Sequence, residues 1–187
     1  MSAPAALLVI DVQQGFLDPS WGRTNNPTAE NHIRALLMHW RERRWPIVLV
    51  RHDSLDHNSP LRPGQSGNNF QDGIDGAHDL LLSKNVNSAF FGSPNLDEWL
   101  TSRSITGLVI CGITTNHCCE TTARMAGNLG YRVEFVLDAT RAFDTEDIHG
   151  VIIPAEDIAR TTAANLNGEF ATVTTTASVI EGTLKIT

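Results

Sequence analysis

Two cysteines stand side by side in G-I-T-T-N-H-C-C-E-T-T-A-R, residues 112–124, where an apolar run gives way to a helical pattern. A cysteine in the first turn of a helix is commonly a small buried apolar group. Here Thr115 and Asn116 are placed to cap the helix, which sets Cys118 among free backbone N–H groups at the positive end of the dipole. Both effects stabilise a thiolate, the nucleophilic form, while Glu120 in the same turn opposes them. Cys119 falls on the apolar stripe and is expected to face the sheet, unreactive. Asp11 follows the run L-L-V-I, where a lone acid is ordinarily a cap or a loop residue. Lys84, in S-K-N-V-N-S-A-F near a short strand at most, is by itself an ordinary solvated lysine. Together, an acid, a lysine and a cysteine at the ends of different elements are the parts of a nucleophilic site. The acid accepts the thiol proton, the ammonium holds the resulting charges, and the sulfur attacks a carbonyl carbon. Backbone N–H groups at the helix start then receive the oxyanion.

The elements that must position these groups alternate. Short apolar runs at Ala6 to Ile10, Ile47 to Val50, Leu108 to Cys111, Val133 to Leu137 and Phe170 to Val173 predict strands. Their continuous apolar character implies burial on both faces, as in a parallel sheet. Between them, Ile33, Leu36, Leu37 and Trp40 form a helical stripe after a Thr28 cap and before Trp45-Pro46. Ser93-Pro94 reads as an N-cap with proline at the first helical position, ahead of Leu96, Trp99 and Leu100. Cys119, Ala123, Ala126 and Leu129 form a stripe ended by Gly130, and Ile158, Ala159, Ala163 and Leu166 form one ended by Gly168. Such alternation implies right-handed crossovers and a three-layer α/β/α fold, with ligands beyond the carboxyl ends of the strands. The Gly-, Pro- and Asn-rich stretch from His52 to about Ser83 interrupts the rhythm and is expected to be a lid or pocket wall.

Length and charge bound the rest. A chain of 187 residues suits one domain, 1–187, with a sizeable core. A net charge of -7 without a basic run argues against nucleic acid or an anionic membrane as partner. The first apolar run, residues 5–10, is too short to span a bilayer and lacks the flanking charges of a signal peptide. Three cysteines cannot all pair and fit no zinc-site spacing, which predicts reduced thiols and a cytoplasmic location.

D-V-Q-Q-G-F-L-D after the first strand, K-N-V-N-S-A-F-F-G-S-P-N-L, and C-G-I-T-T-N-H-C-C-E-T-T-A-R followed by L-G-Y-R-V-E-F-V-L-D-A resemble the isochorismatase-like cysteine hydrolases. That superfamily includes nicotinamidases, N-carbamoylsarcosine amidohydrolases and isochorismatases. The resemblance implies a Rossmann-like six-stranded parallel sheet ordered 3-2-1-4-5-6. It implies Asp11 as general base, Lys84 as catalytic lysine and Cys118 as nucleophile. A cis peptide between Ile113 and Thr114 is implied as well, with the N–H groups of Thr114 and Cys118 as the oxyanion hole. Phe16 matches a pocket-lining position, His117 is placed to touch substrate, and assembly into dimers or tetramers is common in the family. Nicotinamidases hold a metal through an Asp-x-His pair after the second strand. Here the residue two beyond Asp53 is Leu55, although His52 and His57 lie nearby, so the expectation is chemistry without a metal or other cofactor. The reaction implied is cleavage of a C–N bond in a small amide, ureido or carbamoyl substrate through a thioester. The alternatives are hydrolysis of an isochorismate-like vinyl ether, and a non-catalytic protein in which Cys118 and Cys119 sense redox state.

Overall fold

The computed structural model describes residues 5–182. Strands β1 (Ala6–Ile10), β2 (Ile47–His52), β3 (Leu80–Lys84), β4 (Gly107–Ile113) and β5 (Arg132–Arg141) come first in the chain. A two-residue antiparallel ribbon, β6 (Thr145–Glu146) with β7 (Ile152–Ile153), then precedes β8 (Thr172–Thr174). The main sheet has six strands in the order β3-β2-β1-β4-β5-β8, every pairing parallel. The expected order therefore holds, with β8 as the sixth strand because the ribbon intervenes.

The continuous apolar runs hide a two-residue period. Ala6, Leu8 and Ile10 of β1 point to one face with Val48, Val50, Leu108, Ile110 and Phe135. That face is covered by helices α2 (Leu96–Ser102), α3 (Glu120–Asn128) and α4 (Ala155–Leu166), through Leu96, Leu100, Ala123, Ala126 and Leu166. Leu7 and Val9 point the other way, with Leu49, Val109 and Cys111, against Ile33, Leu36, Leu37 and Trp40 of helix α1 (Ala29–Arg43). Val179 of helix α5 (Thr176–Ile180) joins that second core. Burying both faces removes the polar side that would have made alternation visible.

Three local expectations are corrected. Helix α2 does not start at Ser93-Pro94: Ser93 exchanges two backbone hydrogen bonds of 2.9 Å with Ser83, extending the pairing beside β3. The N-cap is Asn95, whose side chain accepts from Glu98 N at 3.0 Å. The last strand begins at Thr172 rather than Phe170, because the amides of Phe170 and Ala171 both return to Leu166 O at 3.0 Å to close α4. Finally, Thr115 and Asn116 do not cap α3. A π-helical turn, Thr115–Cys119, precedes it, and the Thr115 hydroxyl donates instead to Thr140 Oγ1 at 2.9 Å.

Candidate active site

Asp11, Lys84 and Cys118 sit just beyond or at the carboxyl ends of β1, β3 and β4, neighbours through the sheet order rather than through the chain. Asp11 leaves β1 with φ 53°, a left-handed conformation uncommon for a residue with a side chain. Its amide still donates to Val50 O at 2.9 Å, so the turn happens against β2. Lys84 ends β3 in register with His52 of β2. Cys118 follows β4 in the π-helical turn, and the Ile113–Thr114 peptide before it is cis.

Gly112 fixes how closely these ends approach. It lies at φ +136°, at a register shift in β4, and a Cβ there would meet Ile10 O at 2.1 Å. Only glycine lets β4 press so closely on the residue before Asp11.

The three side chains meet. Lys84 Nζ donates to Asp11 Oδ2 at 2.6 Å and to Cys118 Sγ at 3.3 Å, and it lies 3.1 Å from His52 Nδ1. The Lys84 and Asp11 side chains are 0% exposed, and Asp11 Oδ1 is buried without a hydrogen-bond partner. Burial raises the Asp11 carboxyl, only partly offset by the Lys84 charge. Burial pulls the Lys84 ammonium down, but Asp11 and Cys118 more than compensate and leave it raised. The Cys118 thiol is pushed up to about 12, by burial first and then by the Asp11 charge, against the opposing pull of Lys84. This runs against the expectation of a thiolate stabilised by the helix start: burial and the Asp11 charge favour the neutral thiol, and Lys84 opposes them. Glu120 plays no opposing part, since Arg124 pairs with its Oε1 at 2.8 Å and Thr162 donates to its Oε2 at 2.6 Å. Cys119 is fully buried in the core on the sheet face, its thiol raised well above the ordinary range by burial.

A cavity of about 320 Å³ opens onto Cys118, lined by Asp11, Phe16, Trp21, His52, Leu61, Asn87, Thr114 and His117. Phe16 is held on the short turn Gln14–Leu17, its ring 5.0 Å from Trp21 and stacked at 6.2 Å on Phe143. His117 is exposed at the cavity wall, with Nδ1 3.1 Å from Thr114 Oγ1. The 52–83 stretch is part wall and part strand. Leu61 lines the cavity, buried Asn68 ties the excursion down through His52 O, Asp53 and Leu61 O, and Leu80 onward is β3. Trp21, Leu61 and Asn87 escaped the sequence reading. Asn87, whose Oδ1 lies 3.7 Å from Cys118 Sγ, had a usable signal in its place three residues after Lys84; Leu61 had none.

Among the described residues, Asp11, His52 and Cys118 could offer ligand atoms to a metal, all within 4.8 Å of one another. The Lys84 ammonium contacts all three, so the cation they surround belongs to the chain itself. Asp53 is engaged by Arg51 at 2.9 Å and Asn68 at 3.0 Å, and Leu55 is 75% exposed. These residues do not fit a nicotinamidase-type metal centre.

A parallel sheet that gathers an acid, an amine and a thiol beyond its carboxyl ends, around one small cavity, is the layout of a hydrolase of the three-layer α/β class. The Isochorismatase domain model matches residues 5–178, and the chain belongs to the isochorismatase family. It is 38% identical over 186 residues to the isochorismatase family protein YrdC of Bacillus subtilis (strain 168), covering 99% of each chain. It is 33% identical over 162 residues to nicotinamidase 3 of Arabidopsis thaliana, covering 78% of this chain and 76% of that one. Among solved structures, an isochorismatase-family protein from Chromobacterium violaceum ATCC 12472 superposes with a TM-score of 0.91 at 38% identity, covering 97% of this chain and 93% of that one.

Proposed function

We propose that this family member is a metal-independent, cysteine-dependent amidohydrolase acting on a small amide, ureido or carbamoyl compound. The observation that carries the reading is the contact of one buried ammonium with both the Asp11 carboxylate and the Cys118 sulfur. The likeness to a nicotinamidase adds support for C–N bond cleavage.

In this reading Asp11, its basicity raised by burial, takes the thiol proton as Cys118 Sγ bonds to the substrate carbonyl carbon. The tetrahedral oxyanion is received by the backbone N–H groups of two residues that line the cavity, Thr114 and Cys118. Asp11 returns the proton to the leaving nitrogen as the C–N bond breaks, leaving a thioester. Asp11 then deprotonates a water that attacks the thioester, and the expelled sulfur recovers its proton from Asp11. Lys84 keeps a positive charge beside whichever partner is negative. Phe16 and His117 contact the bound molecule from opposite chemistries, apolar and polar.

A panel of small amides, carbamates and ureas read by ammonia release tests this, with Cys118→Ala as the control. Ammonia from the wild type alone supports it, whereas hydrolysis of a vinyl ether liberates no nitrogen. The same proposal places the enzyme in a reducing compartment such as the cytoplasm, which suits three buried, unpaired cysteines. It also makes the enzyme a dimer or tetramer, for which the exposed Ile148, Val151 and Ile152 around the β6–β7 ribbon offer apolar contact surface.

A further inference from the structure

His52 is absorbed neither by the metal question nor by the proton transfers above. Its backbone is clamped: its amide donates to Gln13 Oε1 at 2.8 Å, and its carbonyl accepts from Gln13 Nε2 at 3.0 Å and Asn68 Nδ2 at 3.1 Å. The ring is thereby held against Lys84, whose ammonium has three donors and no lone pair. Those donors meet three atoms: Asp11 Oδ2 at 2.6 Å, His52 Nδ1 at 3.1 Å and Cys118 Sγ at 3.3 Å. An atom facing a saturated ammonium must accept, so Nδ1 carries the ring's lone pair. A neutral imidazole with a bare Nδ1 bears its proton on Nε2. Burial and the adjacent Lys84 charge both disfavour the imidazolium, outweighing Asp11 and Asp53. Among the described residues the ring's one hydrogen-bonded contact is that at Nδ1, and His52 lines the cavity.

We infer that His52 is a specificity-determining residue that presents a neutral Nε2–H to the substrate, so that the site selects amides carrying a hydrogen-bond acceptor beside the scissile carbonyl. This rests on the amidohydrolase reading. The position of the acceptor follows from the shared cavity: His52 and Cys118 both line it, and a ring nitrogen of His52 lies within 4.8 Å of the Cys118 sulfur. A substrate with its carbonyl carbon in reach of Sγ therefore sets the atoms next to that carbonyl beside the ring. A cationic substituent there would face both an N–H and the Lys84 ammonium, and is rejected.

Methoxyacetamide and butyramide are isosteres that differ by an ether oxygen in place of a methylene at that position. The wild type should prefer methoxyacetamide in kcat/KM by about three- to tenfold, the range of one neutral hydrogen bond. His52→Asn keeps an acceptor for Lys84 but loses the outer N–H; whatever it does to turnover in general, it should erase the preference by raising KM more for methoxyacetamide than for butyramide. His52→Gln, which returns an N–H near the Nε2 position, should restore most of it. Long-range 1H–15N correlation spectra of the ligand-free wild type should show Nε2 protonated and Nδ1 bare at neutral pH. A protonated Nδ1, or a preference untouched in His52→Asn, overturns the inference even in an active enzyme. Absence of ammonia from these amides and from the whole panel overturns the amidohydrolase reading, and the selection with it, while the spectra report separately on the ring.

Discussion

Lys84 and Asp11 are joined at 2.6 Å with both side chains closed off from solvent, and each is tolerable there only because of the other. The pair is thus as much part of the fold as of the chemistry.

Removing one member should leave an uncompensated buried charge. Lys84→Met is expected to cost about 3–5 kcal/mol in urea denaturation. The double variant Asp11→Asn with Lys84→Met should be less destabilised than the sum of the two single changes. Strict additivity would mean that the pair is not a unit.

The neighbouring thiols should separate by activity. Cys118→Ala should lose on the order of 10⁴-fold or more in ammonia release, as nucleophile deletions do. Cys119→Ala should keep near-normal turnover and lose only about 1 kcal/mol of stability from the small cavity. A surviving Cys118→Ala enzyme would remove sulfur from the mechanism.

The pH profile should have one limb. Asp11 works as its carboxylate, and burial raises its pKa, so kcat/KM should fall with decreasing pH at a midpoint above the usual carboxylate range. On the alkaline side the thiol is held up to about 12 and Lys84 is raised too, so no second limb is expected through moderately alkaline pH. Alkylation of Cys118 by iodoacetamide should follow the same acid limb and vanish in Asp11→Asn. A midpoint where ordinary thiols ionise would show that free thiolate, rather than assisted proton transfer, is the reactive form.

Much of this site was legible in the sequence, and the remainder was hidden for identifiable reasons. Asp11, Lys84 and Cys118 were visible because each sits where an apolar run stops, and a parallel sheet brings such points to one edge. The balance at the thiol is not legible in residues 112–124, because burial and the Asp11 carboxylate, which together outweigh the pull of Lys84 on the sulfur, arise from the fold and not from the local pattern. The start of α2 was misplaced because the Ser93 backbone is committed to Ser83, a contact across ten positions that no local pattern reveals. Leu61 was invisible because its place in the cavity depends on Asn68 drawing its carbonyl inward at 2.8 Å.

Gly112→Ala should be severely destabilising, by roughly 3 kcal/mol or more, since the added methyl combines an unfavourable φ with overlap on Ile10 O. Thermal denaturation reads this directly. A near-native melting temperature would mean that β4 can retreat from β1 at little cost.

The acid, the amine and the sulfur all issue from the sheet and its immediate margins, whereas the segment between β2 and β3 lends the cavity only Leu61. That division separates the reacting groups from one side of their container. The excursion is anchored at Gln13 and Asn68, along Val12 and Gln14, and by Arg34 and Arg41 of α1, so its outer portion can be rewritten while those fastenings stay in place. New appetites for different molecules could then arise by exchanging a stretch of surface chain, with the bond-breaking apparatus inherited intact.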